Sequence, residues 1–400
     1  KEGNAKKLEI NGGIGVIFSR LSIEAPIVKD KASFIVAARR SYVDILAKPF
    51  LTGNNAGSSF NFYDLTAKVN YNIDNKNTVF LSGYFGRDVF GQDFGFNWGN
   101  STLSARWNHV FSDKLFLNTT AFYSNYDYSL DSDLKNKRPN NALKWTSNIT
   151  NLSIKPDFTY YISPNNTLTF GGQILTYNFK PGSATATSQG ESRSFGQERK
   201  GGVESSIYVG DEWKVSPKFS VQYGLRFSRY DFSSQEDFYY ERKYVGVSAE
   251  TPSGYDLTFI PNNKGKTITT YHNLEPRFSM NYNTGDNSSI KASYNRLAQY
   301  VHLMSNTAAS TPLDVWTSST NNIKPQIADQ VALGYFQNFG DNMYEASAEV
   351  FYKEMQNQID YADRANLFLN PYFEKDLLFG KGRAYGIELF AKKNRGKLTG

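Results

Sequence analysis

Stretches in which apolar and polar residues alternate recur from residue 8 to the end of this chain, and each is followed by a tight turn and a returning stretch. Residues 219–228 and 344–353 show the pattern clearly. Because successive side chains of a strand point to opposite faces, each stretch predicts a strand with one apolar and one polar face. Many stretches exceed the roughly 5–6 residues of a typical soluble strand. The pattern predicts an all-β protein, an antiparallel transmembrane β-barrel.

Short turns rich in Asp, Asn, Gly, Pro and Lys separate the predicted strands in pairs. They lie at residues 29–31, 74–77, 112–114, 163–166, 216–218, 284–287, 340–342 and 394–396. Eight turns that each join two strands imply 16 strands. The last strand is mostly missing, so we expect about 15 in this chain.

Longer connections join one pair of strands to the next. They lie near residues 47–58, 89–99, 131–142, 181–201, 235–266, 303–326 and 359–382. Short and long connections therefore alternate, as in bacterial outer-membrane barrels, where short turns face the periplasm and long loops face the exterior.

The apolar residues change parity within one predicted strand. Leu168 and Phe170 share one parity, whereas Tyr177 and Phe179 share the other. An extra residue in a strand reverses its faces, so we predict a β-bulge near Gly171–Gly172.

The composition agrees with a barrel and excludes a helical membrane protein. The chain of 400 residues is 40% hydrophobic, and its mean hydropathy is −0.52. It contains no apolar run of about 18 residues, whereas a barrel strand needs an apolar residue only at every second position. The 30 Phe, 27 Tyr and 5 Trp can supply aromatic girdles at both membrane interfaces. The absence of cysteine is compatible with the cell envelope.

Few residues of this chain point to catalysis or to a bound cofactor. His109, His272 and His302 lie in different hairpins without a partner at metal-ligand spacing, so we predict no metal site and no cofactor. Glu345 and Glu349 share the polar face of one strand, which indicates a hydrated lumen wall. The net charge of +6 includes no lysine-rich run, so nucleic acid is not a predicted partner. We therefore predict that the protein is not an enzyme.

The long connections carry the best candidates for solute contact. Exposed aromatic rings can stack on sugars, haem or siderophore rings, and binding residues concentrate on loops. The candidates are Phe94, Trp98, Tyr239, Tyr240, His302 and Trp316. The alternative for each is packing within its own loop or a place in the outer aromatic girdle.

Four stretches resemble, in this order, the barrel hairpins of TonB-dependent receptors, particularly those of the Bacteroidetes type. They are residues 14–42, with Ala25 where Gly is more usual, residues 208–227, residues 323–335 and residues 382–389. The resemblance spans essentially the whole chain.

This resemblance implies a 22-stranded barrel in the outer membrane of a Gram-negative bacterium, closed by an N-terminal plug domain. Residues 1–400 would then be a partial transmembrane barrel domain, without the plug domain, the first strands and the last strands. The implied function is active import of a scarce, bulky solute, with energy from the inner-membrane TonB complex, which pulls on the plug. Ferric siderophore, haem, cobalamin, oligosaccharide and peptide all remain open as the solute.

The implied partners are the TonB complex, an extracellular solute and outer-membrane lipid. Some members of this group also work with a surface lipoprotein, and no feature of this sequence decides that point. A passive porin-like channel and a surface adhesin barrel stay open as alternative functions. A plug domain encoded upstream of Lys1 would favour the receptor over both.

Overall fold

One antiparallel sheet dominates the structure, which is a computed structural model. It describes residues 2–50, 59–91, 95–132, 141–189, 191–304, 315–363, 365, 370–397 and 399–400. Within these ranges the strands are β1 (Glu9–Ile14), β2 (Phe18–Val28), β3 (Ala32–Ser41), β4 (Ser59–Asn72), β5 (Asn77–Gly91), β6 (Gly95–Val110), β7 (Leu115–Asp131), β8 (Asn141–Ser163), β9 (Asn166–Ser188), β10 (Glu191–Gly196), β11 (Lys200–Ser216), β12 (Phe219–Ser234), β13 (Phe238–Tyr244), β14 (Tyr255–Pro261), β15 (Thr267–Gly285), β16 (Ser288–Gln299), β17 (Val301–Met304), β18 (Val315–Ser318), β19 (Gln326–Phe339), β20 (Tyr344–Tyr361) and β21 (Leu377–Lys393). The helical elements are α1 (Val43–Ala47) and two 3₁₀ turns, Lys48–Phe50 and Phe373–Asp376. No helix in the described ranges has the length and apolar character needed to cross a membrane.

Sixteen strands follow one another through the sheet, and each pairs with its neighbours in antiparallel fashion; we call them the wall. In order they are β1 to β9, then β11, β12, β15, β16, β19, β20 and β21. The 15 strands predicted from the short turns are confirmed, and β1 adds one before them. The short β10 pairs with residues 183–188, the C-terminal end of β9. In the described part of the chain, β1 pairs only with β2 and β21 only with β20.

The two faces of the wall differ in polarity. In β12, Tyr223, Leu225 and Phe227 are 40–47% exposed, whereas Ser228 and Tyr230 on the other face are fully buried. We call the exposed apolar face outer and the opposite face inner. Apolar surface of this extent is not stable in water, so the outer face is the one that contacts lipid.

Aromatic residues and ion pairs mark the two edges of the apolar band. Near the short turns, the outer face carries a set of half-exposed aromatic residues, namely Tyr71, Trp107, Trp213, Tyr282 and Tyr344. Near the long connections, it carries the ion pairs Arg87–Asp127 (2.7 Å), Arg229–Asp231 (2.9 Å) and Arg296–Asp329 (3.8 Å). Aromatic rings favour a membrane interface and charges avoid hydrocarbon, so the lipid-facing band lies between these two sets.

The connections at the two ends differ as predicted. Seven predicted short turns join paired strands, and after the eighth Gly400 hydrogen-bonds back to Lys393. At the other end, two connections contain hairpins of their own, β13–β14 and β17–β18. The connection predicted at 89–99 is shorter than predicted, because the β5–β6 ladder continues to the pair Gly91 and Gly95. Phe96 and Trp98 lie on the inner face of β6, so this strand occupies residues 95–99 of the predicted connection.

The predicted β-bulge near Gly171–Gly172 is wrong. The register of β9 against β11 runs without a shift from Asn166 to Phe179. The parity of the apolar residues changes because Tyr177 and Phe179 occupy the inner face, where their rings stack 5.7 Å apart and Tyr177 packs against Tyr230. The inner face therefore becomes apolar near its extracellular end.

Candidate extracellular binding site

Four segments near the long connections meet over the inner face, and we call them together the cap. They are residues 197–200, the β13–β14 hairpin, the β17–β18 hairpin with residues 319–323, and residues 370–377. Side chains join them: Gln197 Nε2 donates to the Asn370 carbonyl (3.2 Å), and Asn322 Nδ2 donates to the Tyr240 carbonyl (3.0 Å). β18 also packs against β9 and β11 of the wall. The cap is thus an interlocked unit attached to the wall.

A buried ion pair lies at the centre of the cap. Lys200, the first residue of β11, and Glu374, in the second 3₁₀ turn, are each 1% exposed, and Lys200 Nζ donates to Glu374 Oε1. Glu374 Oε2 accepts hydrogen bonds from Thr320 Oγ1 (3.1 Å) and Asn322 Nδ2 (2.8 Å). Lys200 Nζ lies 3.5 Å from Thr317 Oγ1. Both charges therefore have the additional polar partners that a buried ion pair requires.

Apolar side chains enclose this ion pair. A buried cluster joins the β17–β18 hairpin to residues 370–377, and its members are Met304, Val315, Ile323, Phe373 and Leu377. Lys200 Nζ lies 4.9 Å from the centroid of the Phe373 ring, within cation–π range. Water does not reach the pair in this conformation, so loss of either charge would leave the other without a counter-charge.

Two more ionisable groups belong to the cap, the buried Glu198 and the half-buried Arg242. The Ser234 hydroxyl donates to Glu198, and burial raises the pKa of the Glu198 carboxyl, while Lys200 acts in the opposite direction. Arg242 of β13 donates to the Leu377 carbonyl, and burial lowers the pKa of its guanidinium. Polar groups inside the cap thus hold its segments together.

The predicted residues Tyr239 and Tyr240 lie in β13. Tyr240 is 2% exposed, and its ring meets those of Phe259 and Tyr372 at centroid distances of 6.1 and 5.7 Å. Burial raises the pKa of its hydroxyl well above the usual value. Tyr239 is half-buried on the opposite face of β13. Tyr240 packs inside the cap, and contact of either residue with a solute stays a prediction.

His302 and Trp316 lie in the β17–β18 hairpin. His302 is 2% exposed, and its Nε2 is 3.0 Å from Ser319 Oγ. Burial lowers the pKa of His302 to about 4, so its ring is neutral at pH 7. Trp316 pairs across the hairpin with Leu303 and is half-buried. A solute-binding role of these residues also stays a prediction.

The remaining predicted residues lie outside the cap. Trp98 is on the inner face of β6, where it packs 4.9 Å from Phe96 beside a separate buried cluster of Tyr128, Trp145 and Ala184. Phe94 lies outside the described residues. The structure thus places four of the six predicted residues in the cap, namely Tyr239, Tyr240, His302 and Trp316. Trp98 belongs to a different part of the inner face.

An aromatic layer on the inner face supports the cap. Tyr230 is fully buried and stacks on Tyr300, with centroids 4.9 Å apart and ring planes 11° apart. Tyr271 Oη donates to the Thr320 carbonyl of the cap (2.7 Å). A Cβ at Gly202 would overlap the Tyr230 hydroxyl, so glycine is needed for this ring to lie across β11.

Sequence reasoning missed Lys200 and Glu374, the central pair of this site. The residues are 174 positions apart, and no local pattern connects them. A weak signal existed in the run Phe373-Glu374-Lys375-Asp376-Leu377, where apolar residues flank charged ones at both ends. Such a run can fold so that a charge becomes buried, but it does not identify the partner.

The chemistry of the site is that of binding an anion. A cation, a hydroxyl and an amide converge on one carboxylate, which is the donor set that recognises carboxylates in general. Among the residues that the structure describes, no three His, Cys, Asp or Glu side chains are grouped so as to hold a metal ion.

Comparison with known proteins gives a family match. The family model described as "TonB dependent receptor-like, beta-barrel" matches residues 36–397. A curated protein of Acinetobacter baumannii, the probable TonB-dependent siderophore receptor PiuA, is 25% identical over 174 residues, which are 41% of this chain and 20% of that protein.

Solved structures share the fold at low sequence identity. The copper transporter OprC matches with a TM-score of 0.69 and 13% identity, over 99% of this chain and 60% of that one. The siderophore receptor PiuA of A. baumannii matches with 0.65 and 12%, over 99% and 63%. HasR of Serratia marcescens, solved with its hemophore HasA and heme, matches with 0.62 and 12%, over 97% and 61%. The chain thus spans about 60% of these proteins.

Proposed function

The chain belongs to the TonB-dependent receptor-like β-barrel family, and from that premise we propose that it supplies the wall and extracellular face of an outer-membrane importer. The family is one of outer-membrane transport receptors of Gram-negative bacteria, and this chain has the corresponding lipid-facing wall. The imported solute is proposed to be scarce and bulky. The single observation that carries the proposal is the family match over residues 36–397.

The structure offers physical support for a gated importer. An apolar outer band fixes the wall in the membrane, and the inner face is polar over most of its height. The cap lies across the extracellular end of the inner face and is held by buried contacts. A passive channel has no need for such a closed, interlocked cover, so these contacts favour the importer over a porin-like channel.

We further propose that a plug domain outside these 400 residues fills the lumen and transmits the pull of the TonB complex. The relatives named above carry siderophore, copper or heme in their descriptions. Siderophore, copper and haem therefore belong in the test panel, together with cobalamin, oligosaccharide and peptide, which the sequence leaves open. No enzymatic step is proposed, since the wall and the cap suit passage and binding.

The test is uptake by cells that produce the full-length protein, with and without a functional TonB complex. Radiolabelled members of the panel are offered at low concentration, and a strain that lacks the protein is the control. Uptake that needs both the protein and TonB supports the proposal. Uptake without TonB would indicate a passive channel, and surface binding without uptake would indicate an adhesin.

A further inference from the structure

The buried carboxylate of Glu374 occupies a site whose polar donors come entirely from other segments. Its two oxygens are bound by Lys200 of β11 and by Thr320 and Asn322, which follow β18. We call these three donors the carboxylate site. Lys200 and Thr320 are each 1% exposed and Asn322 is half-buried, so the site is preformed and nearly closed to water.

Glu374 belongs to a different segment from its three donors, so it can move away while Lys200, Thr320 and Asn322 stay in place. It lies in a short 3₁₀ turn between residue 370 and β21, whereas Lys200 begins a strand paired on both sides. If residues 370–377 move away, Lys200 stays in the wall with no counter-charge. A buried ammonium without a partner is costly, so an open cap requires water or another anion at this position.

We propose that the carboxylate site is the anion-binding site of the open cap and that Glu374 acts as its internal ligand until a solute carboxylate replaces it. Binding of the solute and opening of the cap are then coupled, because each removes Glu374 from Lys200. The ligand class is a carboxylate, which an ammonium, a hydroxyl and an amide can bind through both oxygens. This rests on the proposed function for the role of the solute, and the test below needs no transport.

Glu198 is the nearby group that could substitute within the chain. It is buried, lies two residues before Lys200 and is held by the Ser234 hydroxyl. If the Glu198 carboxylate paired with Lys200 after Glu374 is removed, Lys200 would no longer need an external anion. The test therefore includes Glu198→Gln in the same background.

The experiment uses chemical rescue. Glu374→Ala removes a CH₂COO⁻ unit, and acetate has the same atoms plus one hydrogen, so acetate is the probe. The 400 residues contain no cysteine, so a cysteine introduced as Ser318→Cys is the single thiol among them. Its accessibility reports opening of the cap. Ser318 is fully buried in β18 and lies outside the carboxylate site. The rate at which a maleimide labels the introduced thiol in the full-length protein, purified in detergent, measures how often the cap opens.

We expect Glu374→Ala to raise the labelling rate about a hundredfold, as for a broken buried pair. Acetate should then return the rate toward that of the parent along a saturating curve. It should have no such effect on the Lys200→Met/Glu374→Ala double variant. Glu236→Ala, which breaks the exposed pair with Arg199, is the matched control and should label like the parent. Adding Glu198→Gln should make the acetate effect on Glu374→Ala larger.

The proposal is overturned if acetate slows labelling of Glu374→Ala no more than chloride at equal ionic strength, or if the double variant responds equally. Should Glu374→Ala fail to fold, Glu374→Gln keeps the shape and removes the charge. We expect it to raise the labelling rate about tenfold. A rate equal to that of the parent would show that Lys200 needs no anion and would also reject the proposal. None of these results changes with the identity of the transported solute, so they separate this proposal from that of import.

Discussion

The wall and the cap are stabilised in different ways. In the wall, adjacent long strands satisfy one another's backbone groups, and the side chains only need to be apolar on one face. In the cap, the ladders are short, with 7 residue pairs in β13–β14 and 4 in β17–β18. Side chains such as Lys200 and Glu374 connect its segments instead. Stability is therefore distributed along the wall and concentrated at a few buried polar groups in the cap.

The largest effect should follow from breaking the central pair of the cap. Lys200→Met keeps an unbranched side chain that is one heavy atom shorter, and it leaves Glu374 buried without its counter-charge. We expect it to destabilise the cap by about 3–5 kcal/mol and to leave the wall unchanged. Hydrogen exchange of the full-length protein in micelles measures this, as faster exchange of the amides in 315–323 and 370–377 than in the parent.

Lys200→Met/Glu374→Met is the matched control. Replacing both charges leaves neither one unpaired, so the double variant should exchange more slowly than Lys200→Met alone. Equal acceleration in β19 and β20 would contradict the comparison, because the cap would then not open separately from the wall.

The wall should be sensitive to the face that a substitution occupies. Leu333 is 51% exposed on the outer face of β19, at mid-height, while its neighbour Ala332 lies on the inner face. We expect Leu333→Arg to cost about 2–4 kcal/mol, because an outward arginine enters hydrocarbon. Ala332→Arg, the adjacent control, should cost much less.

Denaturant titration of the protein refolded into lipid vesicles measures both wall variants. Similar losses for Leu333→Arg and Ala332→Arg would show that the assignment of outer and inner faces is wrong. A loss confined to Leu333→Arg would support it.

The sequence predicts the wall well because each strand carries its own pattern. Alternation places Leu225 and Ser228 on opposite faces without knowledge of any distant residue, and turn residues set the strand ends. The prediction failed where inner-face residues become apolar, at Phe96 and at Tyr177, because the cap end of the lumen is packed rather than wet. Alternation cannot distinguish a lipid contact from an internal one.

The cap could not be predicted in the same way. From the sequence, solute contact and packing within a loop are both open for its aromatic residues, and the structure shows Tyr240 buried against Phe259 and Tyr372 and His302 buried beside Ser319. The contacts join segments that are far apart in sequence, so no local periodicity reports them. What the sequence does provide is the position of the cap, since two of the long predicted connections contain the two hairpins.

A smaller effect should appear when the pH falls. The pKa of His302 is about 4 in the folded cap and about 6.5 when the ring is exposed, so opening takes up a proton between these values. The stabilisation is present above pH 6.5 and is lost as the pH falls toward 4. By linkage, the stability lost by pH 5 amounts to about 2 kcal/mol. The raised pKa of Glu198 acts in the opposite sense, since the folded form then binds its proton more readily.

Comparison with His302→Gln isolates the histidine contribution. Hydrogen exchange of residues 315–323 is measured at pH 7 and pH 5, with correction for the intrinsic exchange rates. The parent should lose more protection than His302→Gln on acidification. Equal losses would mean that another group causes the pH dependence.

The smallest effect should come from the ion pair one residue away from Lys200. Arg199 Nε lies 2.9 Å from Glu236 Oε1, a geometry similar to that of many strong pairs, but the two side chains are 51% and 27% exposed. Solvent screens such a pair, and each charge is well hydrated when the other is removed. Glu236→Ala should therefore change exchange in the cap by about twofold or less, and added salt should reduce the difference. A change as large as that of Lys200→Met would show that the position of a pair in the cap, rather than its burial, determines its contribution.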